Sequence, residues 1–128
     1  MAKLNILYQT VGLISAALLF EEKLYTIAWC RGMSMHPHFS DGDCILIKRP
    51  WLSKKVEPGD YVTFKSPRNP NTISCKQVHA TNESDPNNVK IGHMLVYGLN
   101  QPSEDSRHFG QISQGLITGF VVSVIYKK

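Results

Sequence analysis

Ser34 and Lys76 are the two residues whose types and surroundings best fit chemistry. Ser34 stands in Gly32-Met33-Ser34-Met35-His36-Pro37. A glycine two residues before the serine and a proline three after it fit a constrained turn that presents one hydroxyl, although serines in ordinary turns look similar. Lys76 lies in residues 72–79 (TISCKQVH), which read as a strand. A side-chain period of two puts Ser74, Lys76 and Val78 on one face and Ile73, Cys75, Gln77 and His79 on the other. One reading places Lys76 on the wet face of a sheet. The other buries its amine beside Ser34 as a general base. A free lysine, with a pKa near ~10.4, is charged at neutral pH and accepts no proton. Desolvation disfavours the ammonium and can lower that value by up to roughly 3–5 units. A fall of ~2–3 units corresponds to about 3–4 kcal/mol, which a small β domain with a covered cleft can supply. A neutral amine in reach would take the Ser34 proton, the serine–lysine form of nucleophilic catalysis. A third segment, 98–110 (GLNQPSEDSRHFG), reads as a polar loop with Asp105 and Arg107 paired at the surface.

Positioning these groups falls to short β-rich runs separated by turn signals. Strands are expected over 24–30 (LYTIAWC), 44–48 (CILIK), 61–65 (YVTFK), 72–79, 93–97 (HMLVY) and 116–126 (LITGFVVSVIY). Asp41-Gly42-Asp43 and Pro58-Gly59-Asp60 open two of them, and 80–88 is an exposed loop. Six strands without helical periodicity predict a mainly β, compact, coiled or barrel-like antiparallel domain over 24–128.

The chain has 128 residues, 14 Lys+Arg, 10 Asp+Glu, a formal charge of +4 and 42% hydrophobic residues. That is room for one core, and it excludes a disordered or low-complexity chain. No Lys/Arg block exceeds two residues, so no nucleic-acid partner is expected. The three cysteines, Cys30, Cys44 and Cys75, are too widely spaced for a CxxC pair. Buried free thiols are the expectation, with one bridge plus one free thiol the alternative. His36, His38, His79, His93 and His108 lack ligand spacing such as HExxH, so neither metal nor cofactor is expected. Trp51, beside Lys48 and Arg49, fits a lipid interface or a packed β-core edge.

Residues 4–20 (LNILYQTVGLISAALLF) carry no charge, with Lys3 before them and Glu21, Glu22 and Lys23 after. As a helix they would span roughly 25 Å, the short end of what a bilayer needs. Residues 1–23 are therefore expected to be a membrane anchor, a single transmembrane helix with its amino terminus on the inner side. A cleaved signal peptide, with Ser15–Ala17 as its small-residue region, and a packed helix remain alternatives.

In this order, the three segments resemble the type I signal peptidase family, and most of all its short mitochondrial members, the inner membrane protease subunits. Gly32 to Pro37 match the GxSMxP nucleophile box. Residues 66–70 (SPRNP) and 75–78 (CKQV) match SPxxP…CKRV, and Gly92-His93 with 98–110 match GHxWVxGDN…SxDSRxxG. The likeness runs from Leu24 to Phe120.

That resemblance implies a signal peptidase/LexA-like fold and a membrane-bound serine endopeptidase that removes presequences from proteins sorted to or across the mitochondrial inner membrane. Ser34 would be the nucleophile and Lys76 the base. Ser103 would orient the lysine amine, and Gly32 and Met35 would support the nucleophile box. Asp105 and Arg107 would pin the loop beneath. Gly32 offers no hydroxyl where bacterial relatives have one, so the oxyanion hole would rely on the Ser34 N–H or another donor. Gln77 stands where arginine is usual, Leu99 where aspartate is, and Thr81-Asn82-Glu83-Ser84-Asp85 replaces a Gly-Asp segment. The implied partners are presequence-bearing substrates, membrane lipid and a related protease subunit in a heterodimer. The implied place is the mitochondrial inner membrane with the β domain in the intermembrane space, a bacterial-type plasma membrane being the alternative. A catalytically degenerate partner subunit and a LexA-type self-cleaving domain are the competing functions.

Overall fold

The computed structural model describes residues 2–50, 55–100 and 103–128, so Trp51 lies outside the described residues. Seven strands, β1 (Tyr25–Trp29), β2 (Cys44–Lys48), β3 (Tyr61–Lys65), β4 (Ile73–Thr81), β5 (His93–Tyr97), β6 (Ile112–Ser113) and β7 (Ile117–Tyr126), form one sheet in the order β1-β2-β7-β3-β4-β5-β6. Every neighbouring pair is antiparallel. Helix α1 (Ala2–Leu24) runs directly into β1, and a one-turn helix α2 (Ser106–Phe109) precedes β6.

The sheet curls. Its edge strand β1 and its fifth strand β4 line opposite sides of one cleft, which a flat sheet could not arrange. Register shifts in the β2–β7, β3–β7 and β4–β5 pairs supply the bend, since an extra residue on one strand kinks it and increases its twist. Edge strands β1 and β6 do not pair with each other, so the sheet is a half-barrel rather than a closed barrel.

Alternation explains the packing. In β5, Met94 and Val96 are fully buried while their neighbours stay partly exposed. They join Val56, Val62, Phe64, Val78, Ile112 and Ile117 in one apolar cluster. A second cluster, Met35, Phe39, Ile45 and Ile47, packs beneath the loop that carries Ser34. The pairings Val62↔Lys76 and Phe64↔Ser74 put Lys76 on the same face as the first cluster. Gly42 and Gly59, at φ near +88° and +96°, make the turns that open β2 and β3, where a side chain would be strained.

The expected spans for β2, β3 and β5 coincide with the observed ones. β4 runs on to Thr81, taking Ala80 and Thr81 from the expected loop, because both are buried and pair with Leu95 and Met94. β6 and α2 were not expected from the sequence. Two residues and four residues are too short to carry a period.

The membrane anchor needs correction. Residues 2–23 of the expected anchor do fall in helix α1, but among the described residues no helix is long and apolar enough to cross a membrane. Asn5, Gln9 and Thr10 interrupt the apolar run, and charges close it at both ends. Thr10 turns its hydroxyl back onto the Ile6 carbonyl at 2.8 Å. The helix nevertheless exposes Ile6, Leu7, Val11, Leu13 and Ile14.

Candidate active site

Ser34 sits on the loop between β1 and β2. Gly32 begins the loop at φ near +83°, a backbone conformation that favours glycine, and its N–H donates to Asp41 Oδ1 at 2.8 Å. The His36 N–H donates to the Met33 carbonyl at 3.0 Å, and the Phe39 N–H to that of Met35 at the same distance. Met35 and Phe39 are buried and anchor the loop, Phe39 meeting Tyr61 edge to face at 5.0 Å. Ser34 is thus raised over an apolar floor.

Lys76 reaches it from β4. Its Nζ donates to Ser34 Oγ at 2.9 Å, and the lysine is only 6% exposed. Burial pushes the Lys76 amine below the usual lysine range. Asp105, Cys75 and Glu104 pull the other way, and Arg107 adds to the depression. The same separation serves the neutral amine, whose lone pair can accept the Ser34 proton.

The segment after β5 closes over the pair. Asn100, to which sequence reasoning gave no role, donates its N–H to the Ser34 carbonyl at 2.8 Å and its Nδ2 to the Met33 carbonyl at 3.0 Å. The signal was its place in the GLN box. Gly98, also missed, packs directly against buried Ser103 and the Ser34 carbonyl. Asp105, expected from the residues to pair with Arg107 at the surface, is fully buried instead. It caps α2 and accepts from the Gly98 N–H at 2.8 Å, from the Arg107 N–H at 3.0 Å and from the Arg107 guanidinium. Burial alone would raise its pKa, but these donors outweigh it and hold the carboxyl well below the usual range. Arg107 also donates to the Gly98 carbonyl at 3.2 Å and lies over the Tyr97 ring.

Ser34 and Lys76 open onto a cleft of about 460 Å³. Ala28 to Gly32 form one wall and Thr72 to Lys76 the other, over Met35, Phe39, Ile45 and Ile47. Cys30 and Cys75 also line it, and all three cysteines are free thiols. Cys44 is buried, whereas Cys30 and Cys75 are only partly so. Among the described residues no three His, Cys, Asp or Glu side chains converge as metal ligands would.

No family model matches the chain. It is 33% identical over 116 residues to mitochondrial inner membrane protease subunit 1 of Mus musculus, covering 78% of this chain and 69% of that one. It is 33% identical over 115 residues to mitochondrial ATP-independent inner membrane protease subunit 1b of Arabidopsis thaliana, covering 75% and 67%. A Schizosaccharomyces pombe mitochondrial inner membrane protease subunit 2 is 31% identical over 124 residues, covering 83% and 67%. The chain belongs to the mitochondrial inner membrane protease family. Against the box patterns given above, its departures lie off the Ser34–Lys76 contact. Gln77 donates to the Gly59 carbonyl at 3.3 Å, at the turn before β3. Leu99 is 37% exposed. The segment after β4 folds into its own turn, with the Thr81 N–H donating to Ser84 Oγ at 2.8 Å and Asn82 Nδ2 to the Val89 carbonyl at 2.6 Å.

Proposed function

We propose that this inner membrane protease chain is a catalytic subunit, a serine endopeptidase that removes presequences with Ser34 as nucleophile and Lys76 as general base. The observation that carries the reading is the 2.9 Å contact from Nζ to Oγ at a lysine that is almost fully buried. Burial disfavours the ammonium, so the amine gives up its proton more readily than a free lysine and can serve as the base beside the alcohol.

Ser34 Oγ attacks the scissile carbonyl as Lys76 Nζ takes its proton. The Ser34 N–H helps stabilise the oxyanion. Lys76 then passes the proton to the leaving amine as the peptide C–N bond breaks. Water attacks the acyl-enzyme and gives a proton to Lys76, which passes it to Ser34 Oγ as the ester bond breaks, so the acid product leaves with Ser34 and the neutral amine restored. Ser103, buried next to Gly98 and the Ser34 carbonyl, orients the amine, and Gly32, Met35, Asp105 and Arg107 hold the two loops.

The substrate lies extended in the cleft. β1 pairs with β2 on one side only, and β4 pairs with β5 only from Gln77 onward. Backbone edges of β1 and of residues 73–76 therefore face the cleft, and an added strand can pair with them. Small side chains beside the scissile bond are the preference that the family resemblance implies.

The apolar side chains exposed on α1 hold the chain at the mitochondrial inner membrane, with the β domain in the intermembrane space and a related subunit as partner. The relatives' names, mitochondrial inner membrane protease subunits 1 and 2, support the inner-membrane location and a multi-subunit assembly.

Purified full chain, assayed on an internally quenched presequence peptide with alanine before the scissile bond, tests the reading. Wild type is expected to cleave at one bond, while Ser34→Ala and Lys76→Ala fold but do not cleave. Full activity in both variants overturns the dyad. A folded but inactive wild type identifies a degenerate partner subunit, and scission within the chain itself identifies a LexA-type reaction.

A further inference from the structure

A second pocket, of about 300 Å³, also reaches Lys76. Its walls are Arg68 and Thr72 from the loop after β3, Ser74 and Lys76 from β4, and Glu104 and Phe109 from the segment after β5. Arg68 spans it. Its Nη1 meets Glu104 Oε1 at 2.7 Å, and its Nη2 donates to the His108 carbonyl at 3.3 Å. Both side chains of the pair are more than half exposed. We propose that Glu104 and Arg68 form an electrostatic control on the Lys76 amine, Glu104 drawing it toward the ammonium and Arg68 opposing that draw. This rests on Lys76 being the base of the proposed reaction.

The charged and titratable neighbours of Lys76 divide into fixed and adjustable groups. Asp105 is fixed. It is buried and committed to Arg107 and to the Gly98 N–H, with His108 Nδ1 3.9 Å away. Arg107 is fixed with it. Cys75, on the same strand, is held as a neutral thiol by burial. Ser34, from the β1–β2 loop, is the hydroxyl partner. Glu104 is the remaining carboxylate facing the amine, and its attraction raises the Lys76 pKa. Its ion-pair partner is Arg68, across a solvent-open pocket. An exposed ion pair contributes little to stability, so its consequence lies in the field it leaves at a buried neighbour. Arg68 and Glu104 act as positioning residues for charge, through Lys76 and without contact with the reacting atoms.

The test reads Lys76 itself. Full chain labelled with 13C at lysine Cε is titrated by NMR, the Lys76 signal being assigned by its loss in Lys76→Met. Arg68→Gln is expected to raise the midpoint by about half a unit and Glu104→Gln to lower it by a similar amount, both shrinking in 0.5 M sodium chloride (~4 Å Debye length). The double variant should return toward the wild-type midpoint, because two opposing fields are lost together, and Arg68→Lys should stay near wild type. The acid limb of kcat/KM for peptide cleavage should move with the midpoint. A purely structural role would change thermal stability and leave the midpoint in place. Unchanged midpoints in the single variants, or shifts of the same sign, overturn the proposal. Should Arg68→Gln fail to fold, Glu104→Gln decides. If Lys76→Ala still cleaves peptide while the midpoints move as stated, the proposed reaction falls and this control stands. If Lys76→Ala is inactive and the midpoints do not move, only the control falls.

Discussion

Gly98 and Ser103 are packed so closely that a methyl group on Gly98 would lie 2.1 Å from Ser103 Oγ and 2.7 Å from its Cβ. It would also stand 3.1 Å from the Ser34 carbonyl oxygen. This glycine is a spacer where the nucleophile loop and the Ser103 segment converge. Gly98→Ala must therefore displace one or both. Kinetics on the quenched peptide should show kcat/KM down by about 10²-fold, the scale expected when reacting groups shift by an ångström. Urea unfolding should show a stability loss of about 1–3 kcal/mol from overpacking. Wild-type kinetics in this variant would mean that the contact does not set the geometry of the site.

Replacing Lys76 by methionine should separate catalysis from stability. The buried amine has a pKa below that of the unfolded chain, so the unfolded state binds more protons between the two values. Stability contributed at this site therefore rises with pH through that window and is lowest at and below the folded-state value. Lys76→Met removes the buried titratable amine. It should melt at the same or higher temperature than wild type at pH 7, show less gain in stability from pH 7 to 10, and cleave nothing. A large drop in melting temperature would contradict the account of the burial.

Asp105 has the opposite sign. Its folded pKa lies below the usual carboxylate range, so its contribution is present above the unfolded value and is lost as pH falls below about 4. Asp105→Asn should lower stability at pH 7 by about 1–3 kcal/mol, because the Arg107 guanidinium and the Gly98 N–H lose a charged acceptor. Denaturant curves of the two proteins should converge on acidification. A constant gap down to pH 2 would argue against an ionised Asp105.

Cys75 lines the cleft, yet its thiol is pushed up to about 12 by burial and by Cys30, against a smaller opposing effect of Lys76. Little thiolate forms at pH 8, and the thiolate is the reactive species. Mass spectrometry after iodoacetamide treatment should find Cys75 unmodified in the folded chain and modified in urea. Rapid alkylation of the folded chain at pH 8 would refute the raised thiol pKa.

Much of the framework could be read from the residues. CILIK, YVTFK and HMLVY are short β-rich runs bounded by turn residues, and these strands end where expected. β6 could not be read, because two residues are held as a strand only by pairing with His93 and Met94. The four-residue α2 exists because Asp105 caps it, and Asp105 is buried there by contacts from Gly98 and Arg107. Asn100 bonds the nucleophile loop across 67 residues of sequence, which no local pattern reveals.

What the sequence determined by itself was the inventory: a serine in a constrained glycine–proline turn, a lysine in mid-strand, and the period that separates the two faces of β4. Period and turn chemistry are local properties of the chain. Which side of the sheet would be dry is not local. Curling brings the edge of β4 against the loop that follows β1 and places Lys76 Nζ 2.9 Å from Ser34 Oγ across 42 residues of sequence. The amine's depressed basicity follows from that burial, because desolvation depends on everything packed around a group and not on its neighbours along the chain.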